Sequence, residues 1–362
     1  MQFRKLNKQA LAEYLNSEAF TNGEHIPITR HRALSQIKNP KAGDDDTLLI
    51  LAEENGELMG YAGILPDEMQ LNTGFIKVGW LSGLWVSEKA RGKGVGQQLI
   101  KQAVNEQPYM LSGDYVPFTK KLYDRTDLFE KEPFQLNGIR FYIKSDLSNI
   151  LPPKRKIFSQ LKPVLKGVDG FVNLFLNKNS KKDSHLLSYS NHDFIDDEMN
   201  EFIQAHQATG HFQRQAVDYN WLLQNPWILS KPNKNAHNAR YQFSSVEPLF
   251  TNHVFVSRNE FGKMNGLMIF SQRNRSLKLI ACYHYNNLSQ LANIICQCLA
   301  NWKISTFTVF HAELVSELKQ RKNLALKTRD FTRNYLISKA LITRMGSIGL
   351  NLQDGDGDCG FT

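Results

Sequence analysis

Residues 75–106 constrain this chain most. An apolar run, FIKVGWLSGLWV, leads through SEKA into RGKGVG at 91–96, and a helical pattern follows at once. Val95, Leu99, Ile100 and Ala103 mark one side of a predicted helix over 95–106. A strand that turns through three glycines and two cations into a helix is built to hold something at the turn. Backbone N–H groups at a helix start lack helical acceptors, and glycines let them curl round a bound oxygen. The helix dipole favours negative charge there. Arg91 and Lys93 add mobile positive charge, so a diphosphate suits the turn.

Two familiar phosphate loops do not fit. GxxxxGK followed by Ser or Thr is absent, and GKGVGQ from Gly92 reads GxGxG where a dinucleotide loop needs GxGxxG.

The elements before and after this turn set an α/β (mixed α+β) class. Residues 6–19 predict a short helix, and TLLILAEE at 47–54 a strand. Asn55-Gly56 suits a tight hairpin into a second strand at 58–65. Residues 75–86 predict a longer strand, in which Gly79 and Gly83 allow a bulge or a close approach. Trp80 and Trp85 have different strand parity and face opposite sides unless a bulge intervenes. Tyr115–Phe118 reads as a strand, Phe118–Leu122 as the start of a helix and Gly138–Ile143 as a late strand.

The paired prolines of LPPKRK at 151–156 signal a boundary. Beyond it, Leu161, Val164, Leu165, Val168, Phe171, Val172 and Phe175 form a helical stripe, expected to pack between domains. The second half repeats the first in outline: strands at 252–258, 264–271 and 276–284, a helix at 288–302, a strand at 305–310 and a helix at 312–321. Its equivalent junction, CYHYNNLS at 282–289, has no arginine-glycine turn. The expected division is 1–148 with the cradle, 149–220 as a helical linker, 221–345 as a degenerate second copy and 346–362 as an acidic tail.

With 362 residues, 41% hydrophobic and 22% charged, the chain has material for more than one core. A net charge of +9 favours anionic partners. The cations are scattered, with small clusters at Lys154–Lys156 and Lys181–Lys182 that read as solvated surface, so no nucleic-acid partner is expected. The four cysteines, Cys282, Cys296, Cys298 and Cys359, show neither zinc nor disulfide spacing. A reducing, cytoplasmic setting is expected. The N-terminus lacks a signal-peptide core, and no run is long enough to cross a bilayer, so no membrane partner is expected.

The turn and its surroundings resemble the GNAT superfamily, the GCN5-related N-acetyltransferases. Their signature of Gln or Arg, two residues, Gly, one residue, then Gly or Ala stands here as Arg91, Gly92, Lys93, Gly94, Val95, Gly96. LSGLWVSEKA before it looks like their splayed fourth strand and its exit. The resemblance covers roughly residues 45–145 and implies a GNAT-like fold using acetyl-coenzyme A. It implies that the amides of Arg91–Gly96 hold the pyrophosphate and that the backbone near Leu84, Trp85 and Val86 pairs with the pantetheine arm. The duplicated order resembles tandem members in which one copy has lost the signature.

Acetyl transfer to an amine needs a proton acceptor, an acid near sulfur and good positioning. Members often place a tyrosine in an LYxxxGF context near the sulfur, and Tyr123 in FTKKLYDRTDLF matches it. The following phenylalanine comes one residue late, and Asp127 stands where glycine is expected. Tyr115 is the second choice. Glu54, Glu57, Asp67 and Glu68 are carboxylates of the early hairpin, and no motif selects one as base.

Asp354, Asp356 and Asp358 have the first spacings of a calcium loop, but the glycine falls one step late and the distant glutamate is missing. No metal is expected, and this stretch reads as a flexible or docked tail whose terminal carboxylate reaches an active site in some multidomain relatives. The expected function is direct attack of a primary amine, on a small molecule, peptide or protein, on acetyl-coenzyme A in a ternary complex. The alternative is a noncatalytic acyl-coenzyme A-binding or scaffolding protein. An aminoacyl-transfer enzyme of related fold is a third reading, marked by a continuous basic groove.

Overall fold

The computed structural model describes residues 1–113, 115–152, 156–177, 189–207, 210–231, 239–321, 324–346 and 349–361. The chain forms two compact units. The first holds Met1–Leu136, Asp193–Thr251 and Arg333–Thr362, and the second holds Asn137–His192 and Asn252–Thr332.

The chain opens in the first unit with β1 (Gln2–Leu6), α1 (Lys8–Tyr14), α2 (Glu18–Asn22), α3 (Arg30–Ile37), β2 (Leu49–Glu54), β3 (Glu57–Leu71), β4 (Gly74–Val86), α4 (Val95–Glu106), β5 (Met110–Gly113) and α5 (Pro117–Thr126). It continues through β6 (Phe134–Tyr142), α6 (Leu147–Ile150), α7 (Lys156–Gln160), α8 (Lys162–Asn177) and β7 (Tyr189–His192). Next come α9 (Asp197–His206), α10 (Ala216–Gln224), β8 (Leu229–Ser230) and β9 (Val246–Glu247). The last part is β10 (Phe250–Arg258), β11 (Met264–Arg273), β12 (Ser276–His284), α11 (Leu288–Asn301), β13 (Thr306–Val309), α12 (Ala312–Lys319), β14 (Lys327–Ile337) and α13 (Lys339–Met345).

Local chemistry explains the starts and turns. Asn7 and Ser17 cap α1 and α2 by accepting from the amides of Ala10 and Phe20. The β2–β3 hairpin turns on Asn55 and Gly56, both at positive φ (53° and 78°), which is why Asn-Gly stands there. The helix expected over 6–19 is instead β1 followed by α1 and α2. The strand expected at Tyr115–Phe118 is absent, because Pro117 opens α5 at its first turn.

In the first unit the strands lie in the order β1-β2-β3-β4-β5-β14. One face carries α4: Val95, Leu99, Ile100 and Ala103 pack with Ile50, Ile64, Leu81 and Tyr123. Full burial of a side chain such as Leu99 contributes about 1.5–3 kcal/mol. A second core joins Leu11, Leu15, Ala33, Leu49, Leu51, Tyr61 and Tyr241.

Two irregularities of this sheet position the site. β3 and β4 pair antiparallel, but Tyr61 faces Trp85 while Gly63 faces Ser82, so β4 carries an extra residue between them. Gly83 takes φ +74° there, which an L side chain adopts only with strain. The bulge reverses side-chain parity: Leu81, Leu84 and Val86 pack in the α4 core, while Trp85 joins the Tyr61 core. The two tryptophans therefore share a face rather than opposing each other. The second irregularity is that β4 and β5 pair in parallel only at Gly79↔Met110 and Trp80↔Leu111.

The second unit has the strand order β6-β13-β12-β11-β10-β7. Its core packs Leu291, Ile294, Ile295 and Cys298 of α11 with Phe270, Leu279 and Phe307 of the sheet. β12 and β13 pair in parallel, as β4 and β5 do. The two halves of the chain exchange strands. β5 pairs with β14, and β13 pairs with β6, so each neighbour comes from the other half of the chain. This exchange, with 193–251 joining the first unit, moves the observed division away from the boundaries at 148, 220 and 345.

The stripe expected to be covered is open: Leu161, Val164, Val168 and Phe171 of the α7–α8 region are exposed. Asp169 points inward instead, accepting from Ser145 Oγ and the Leu147 and Ser148 amides. The Phe175 side chain, Lys154, Arg155, the Lys156 side chain and Lys181–Lys182 lie outside the described residues.

Candidate active site

The site is assembled where β4 leaves β5. Pairing between them stops at Trp80, and β4 runs on through the bulge to Val86. Leu84, Trp85 and Val86 keep their β3 side, through Tyr61↔Trp85 and Gly60↔Val86. Their other backbone edge lies beyond the last pair with β5. Trp85 is held by stacking on Tyr61 at 5.4 Å and an edge contact with His25 at 4.9 Å.

A short 3-10 turn, Glu88–Ala90, links β4 to Arg91–Gly96. Gly92 and Gly94 take φ of +81° and +79°, and a Cβ at either would meet nothing within 4 Å. Gly94 is the N-cap of α4, so the loop directs the first amides of a twelve-residue helix outward. Arg91 and Lys93 are exposed, and Arg91 leans on Glu88 at 3.1 Å. Val95 and Gly96 are buried, and a Cβ on Gly96 would lie 3.2 Å from Leu122 Cδ1. The glycines thus divide their work: the first two set the curve, and the third lets α4 approach α5. The open curve, its outward amides and its two cations fit a diphosphate.

Tyr123, on α5, is brought against β5. Its hydroxyl and Ser112 Oγ share a hydrogen bond of 2.8 Å, and its ring meets Phe129 edge-on at 4.9 Å. Asp127 resolves the irregular spacing noted in the sequence. It ends α5 at φ 56°, the left-handed position where glycine is expected, and its carboxylate takes Lys339 Nζ at 2.6 Å. Burial raises the Tyr123 hydroxyl well above the ordinary tyrosine range, and the nearby Asp358 charge adds to this. Tyr115 lies beside it, with ring centres 6.5 Å apart.

The C-terminal segment completes the site. Gly357 lies on the Trp80 ring, and Asp358 Oδ2 accepts from Ser82 Oγ at 2.7 Å. Cys359 Sγ lies near Gly113 of β5. Phe361 anchors the end by stacking on Trp227 at 4.5 Å. Behind Ser82, buried Arg32 donates to Ser82 Oγ and to Tyr241 Oη, both at 2.7 Å, and lies 3.9 Å over the Trp227 ring.

Each tail aspartate has a different partner: Asp354 pairs with Arg333, Asp356 with Arg214 and Asp358 with Ser82. The calcium-like spacing therefore serves docking. No group of three or more metal-ligating side chains occurs among the described residues. The early-hairpin carboxylates are engaged elsewhere. Glu54 meets the N-terminus, Glu57 meets Lys89, Glu68 meets Lys41, and Asp67 meets Arg214. Ser82, Ser112, Arg32 and Asp358 were not singled out for this site by sequence. The tail's DGDGD pattern was visible, but its spacing says nothing about three partners from distant segments.

Residues 9–107 match the Acetyltransferase (GNAT) family. Solved structures share the fold. A conserved protein of unknown function from Enterococcus faecalis V583, described as a probable N-acyltransferase, has a TM-score of 0.52 at 11% identity, over 94% of this chain and 73% of that one. Saccharomyces cerevisiae N-myristoyltransferase with bound myristoyl-CoA has a TM-score of 0.52 at 10% identity, over 97% and 85%. A GCN5-related N-acetyltransferase from Kribbella flavida has a TM-score of 0.50 at 10% identity, over 94% and 72%. No curated protein matches the sequence. The chain thus has the mixed α/β fold of the GNAT acetyltransferases, and no helix among the described residues is long and apolar enough to cross a membrane.

Proposed function

We propose that the first unit transfers an acetyl group from acetyl-coenzyme A to a primary amine, by direct attack in a ternary complex. The observation that carries this reading is the joint placement of three features. They are the β4 edge beyond Trp80, the open Gly92–Gly94 curve at the start of α4, and the Tyr123 hydroxyl beside β5.

Bound acetyl-coenzyme A supplies a thioester carbonyl and a sulfur leaving group. The amides of Gly92–Gly96, with Arg91 and Lys93, would hold its diphosphate. The Leu84–Val86 backbone would pair with its amide arm, as one more strand edge. Tyr123 keeps its proton at neutral pH because burial disfavours the phenolate, so it serves as donor to the departing thiolate. Asp358 is the tail carboxylate that reaches β4, and it receives the amine's proton directly or through water. Arg32 fixes Ser82, and Ser82 fixes that carboxylate.

The second unit is read as a degenerate copy. Its β10–β13 order and parallel β12–β13 pair support this, and the β12–α11 junction carries Asn286 at φ 48° with no glycine.

Isothermal titration with acetyl-coenzyme A tests the cradle, comparing wild type with Arg91→Ala/Gly94→Glu. Saturable wild-type binding, lost in a variant with unchanged circular dichroism, is expected. A folded wild-type protein that does not bind overturns the reading.

A further inference from the structure

Helix α8 carries a surface that its own packing does not use. Pro163 stands in its first turn, and its sixteen residues, Lys162–Asn177, make it about 24 Å long at about 1.5 Å per residue. Val164, Val168, Phe171 and Leu174 recur along it at helical spacing, and Leu161 and Ile157 extend the row back to α7. All six are exposed, Leu174 to 67% and Val164 to 63%. A Cβ on Gly167 or Gly170, beside the row, would meet nothing within 4 Å.

The other side fastens the helix to the second unit. Asp169 is buried, and its oxygens accept from Ser145 Oγ, the Leu147 amide and the Ser148 amide. Asn173 exchanges two hydrogen bonds with the Ser145 backbone, at 2.9 and 2.8 Å. Leu165 and Val172 are half-buried on that flank. These ties fix the rotation of α8 and hold its apolar row outward. A contiguous exposed apolar row marks an interaction site.

Charge decides what meets it. The sequence from 154 to 182 holds eight lysines and arginines and one acid, Asp169, which is spent inward. Lys162 and Lys166 are exposed on α8. More cations gather at the helix's footing. Burial, and then the charges of Lys303 and Arg275, hold the Lys144 ammonium below the ordinary lysine range, and Lys303 and Arg275 are exposed. A second copy of this face would set like charges against each other, with no carboxylate on the helix to pair them. Anionic headgroups would meet the cations, and acyl chains the apolar row.

We propose that α8 is a membrane-surface helix, lying in the headgroup region of an anionic bilayer with Ile157, Val164, Phe171 and Leu174 inserted and Lys162 and Lys166 among the headgroups. At about 24 Å it is shorter than the roughly 30 Å hydrocarbon core, so it lies along the surface and does not span it. The expectation of no membrane partner rested on spanning length and on the lack of a signal peptide, and a surface helix needs neither. The proposal stands independently of the acetyl-transfer reading.

The test is flotation of the full chain with vesicles of phosphatidylcholine containing about one third phosphatidylglycerol, against pure phosphatidylcholine. Wild type should partition onto the anionic vesicles, and about tenfold or more weakly onto the neutral ones. Val164→Gln/Leu174→Gln keeps every charge and uses a good helix former, and should weaken anionic-vesicle binding by about tenfold or more. Lys162→Glu/Lys166→Glu should weaken it as well. No flotation of folded wild type overturns the proposal, and so does equal flotation with neutral vesicles. Unchanged flotation of Val164→Gln/Leu174→Gln also overturns it, because scattered surface charge then explains the binding. A wild-type dimer that this variant dissociates, read by light scattering, overturns it in favour of a second copy. Should that variant not fold, unchanged flotation of Lys162→Glu/Lys166→Glu overturns it.

Discussion

Gly357→Ala is the sharpest single perturbation of the docked tail. Gly357 takes φ +67°, and a Cβ there would lie 2.6 Å from Cε3 of Trp80. The ring cannot yield easily. It is 1% exposed, donates to Asp67 and packs against Phe212 and Tyr335. The left-handed backbone costs an alanine about 1–2 kcal/mol, and forced overlap in a packed site costs about 1–3 kcal/mol more. The combined cost of about 2–5 kcal/mol shifts tail docking by roughly 30-fold to several-thousand-fold, at tenfold per 1.4 kcal/mol. The contact that breaks is tail docking itself, so the loss should appear as local opening. Hydrogen exchange of the full chain, read by mass spectrometry, should show amides in 353–361 exchanging at least about 30-fold faster. Those of β10–β13 should stay unchanged. Gly349→Ala is the control, since a Cβ there meets nothing within 4 Å. Equal protection of the tail in Gly357→Ala and wild type would refute the packing argument.

Two other outcomes follow from the same residues. Tyr123→Phe and Asp358→Asn should each lower kcat at neutral pH, by about 10²-fold for loss of one acid or base, while titration shows acetyl-coenzyme A affinity unchanged; an unaltered kcat in both would leave the site as a binding module. Burial lifts the Asp356 carboxyl to about 6 from 3.8, outweighing Arg214, so the folded unit holds that proton more tightly than the unfolded chain. Its contribution to stability is therefore fully present below about 3.8 and is lost as the pH rises through about 6. Asp356→Asn should flatten the wild-type fall in Tm across that window, and identical slopes would contradict it.

Legibility followed the range of the interactions. The predicted helix at 95–106 coincides with α4, and β12 matches the strand expected at 276–284. The hairpin turn at Asn55-Gly56 was equally plain, because each of these is set by neighbours within a few positions. The curve at Gly92–Gly94 was readable for the same reason, and Gly83 marked the bulge it forms. The reversal of Trp85 was conditional on that bulge, which pattern alone does not locate. Met110–Gly113 was missed as β5, being four residues long with no alternation. The Ser82–Asp358 and Arg214–Asp356 contacts join segments far apart in the chain, and no periodicity encodes such a meeting. The open stripe of α8 shows the converse limit: a helical pattern was legible, but what faces it was not.

The exchange of β6 and β14 has a consequence for biosynthesis. Gly113 on β5 finds its neighbour in Tyr335, so the edge of β5 away from β4 stays unpaired until β14 has been synthesised. Contacts this distant in sequence slow folding, and a waiting strand edge invites pairing with other chains. A fragment ending near residue 148 would carry the glycine cradle, yet it would expose β5 and lack both the tail and its anchors. The glycine turn at 92–94 is thus encoded well before β14, the strand that covers the far edge of β5.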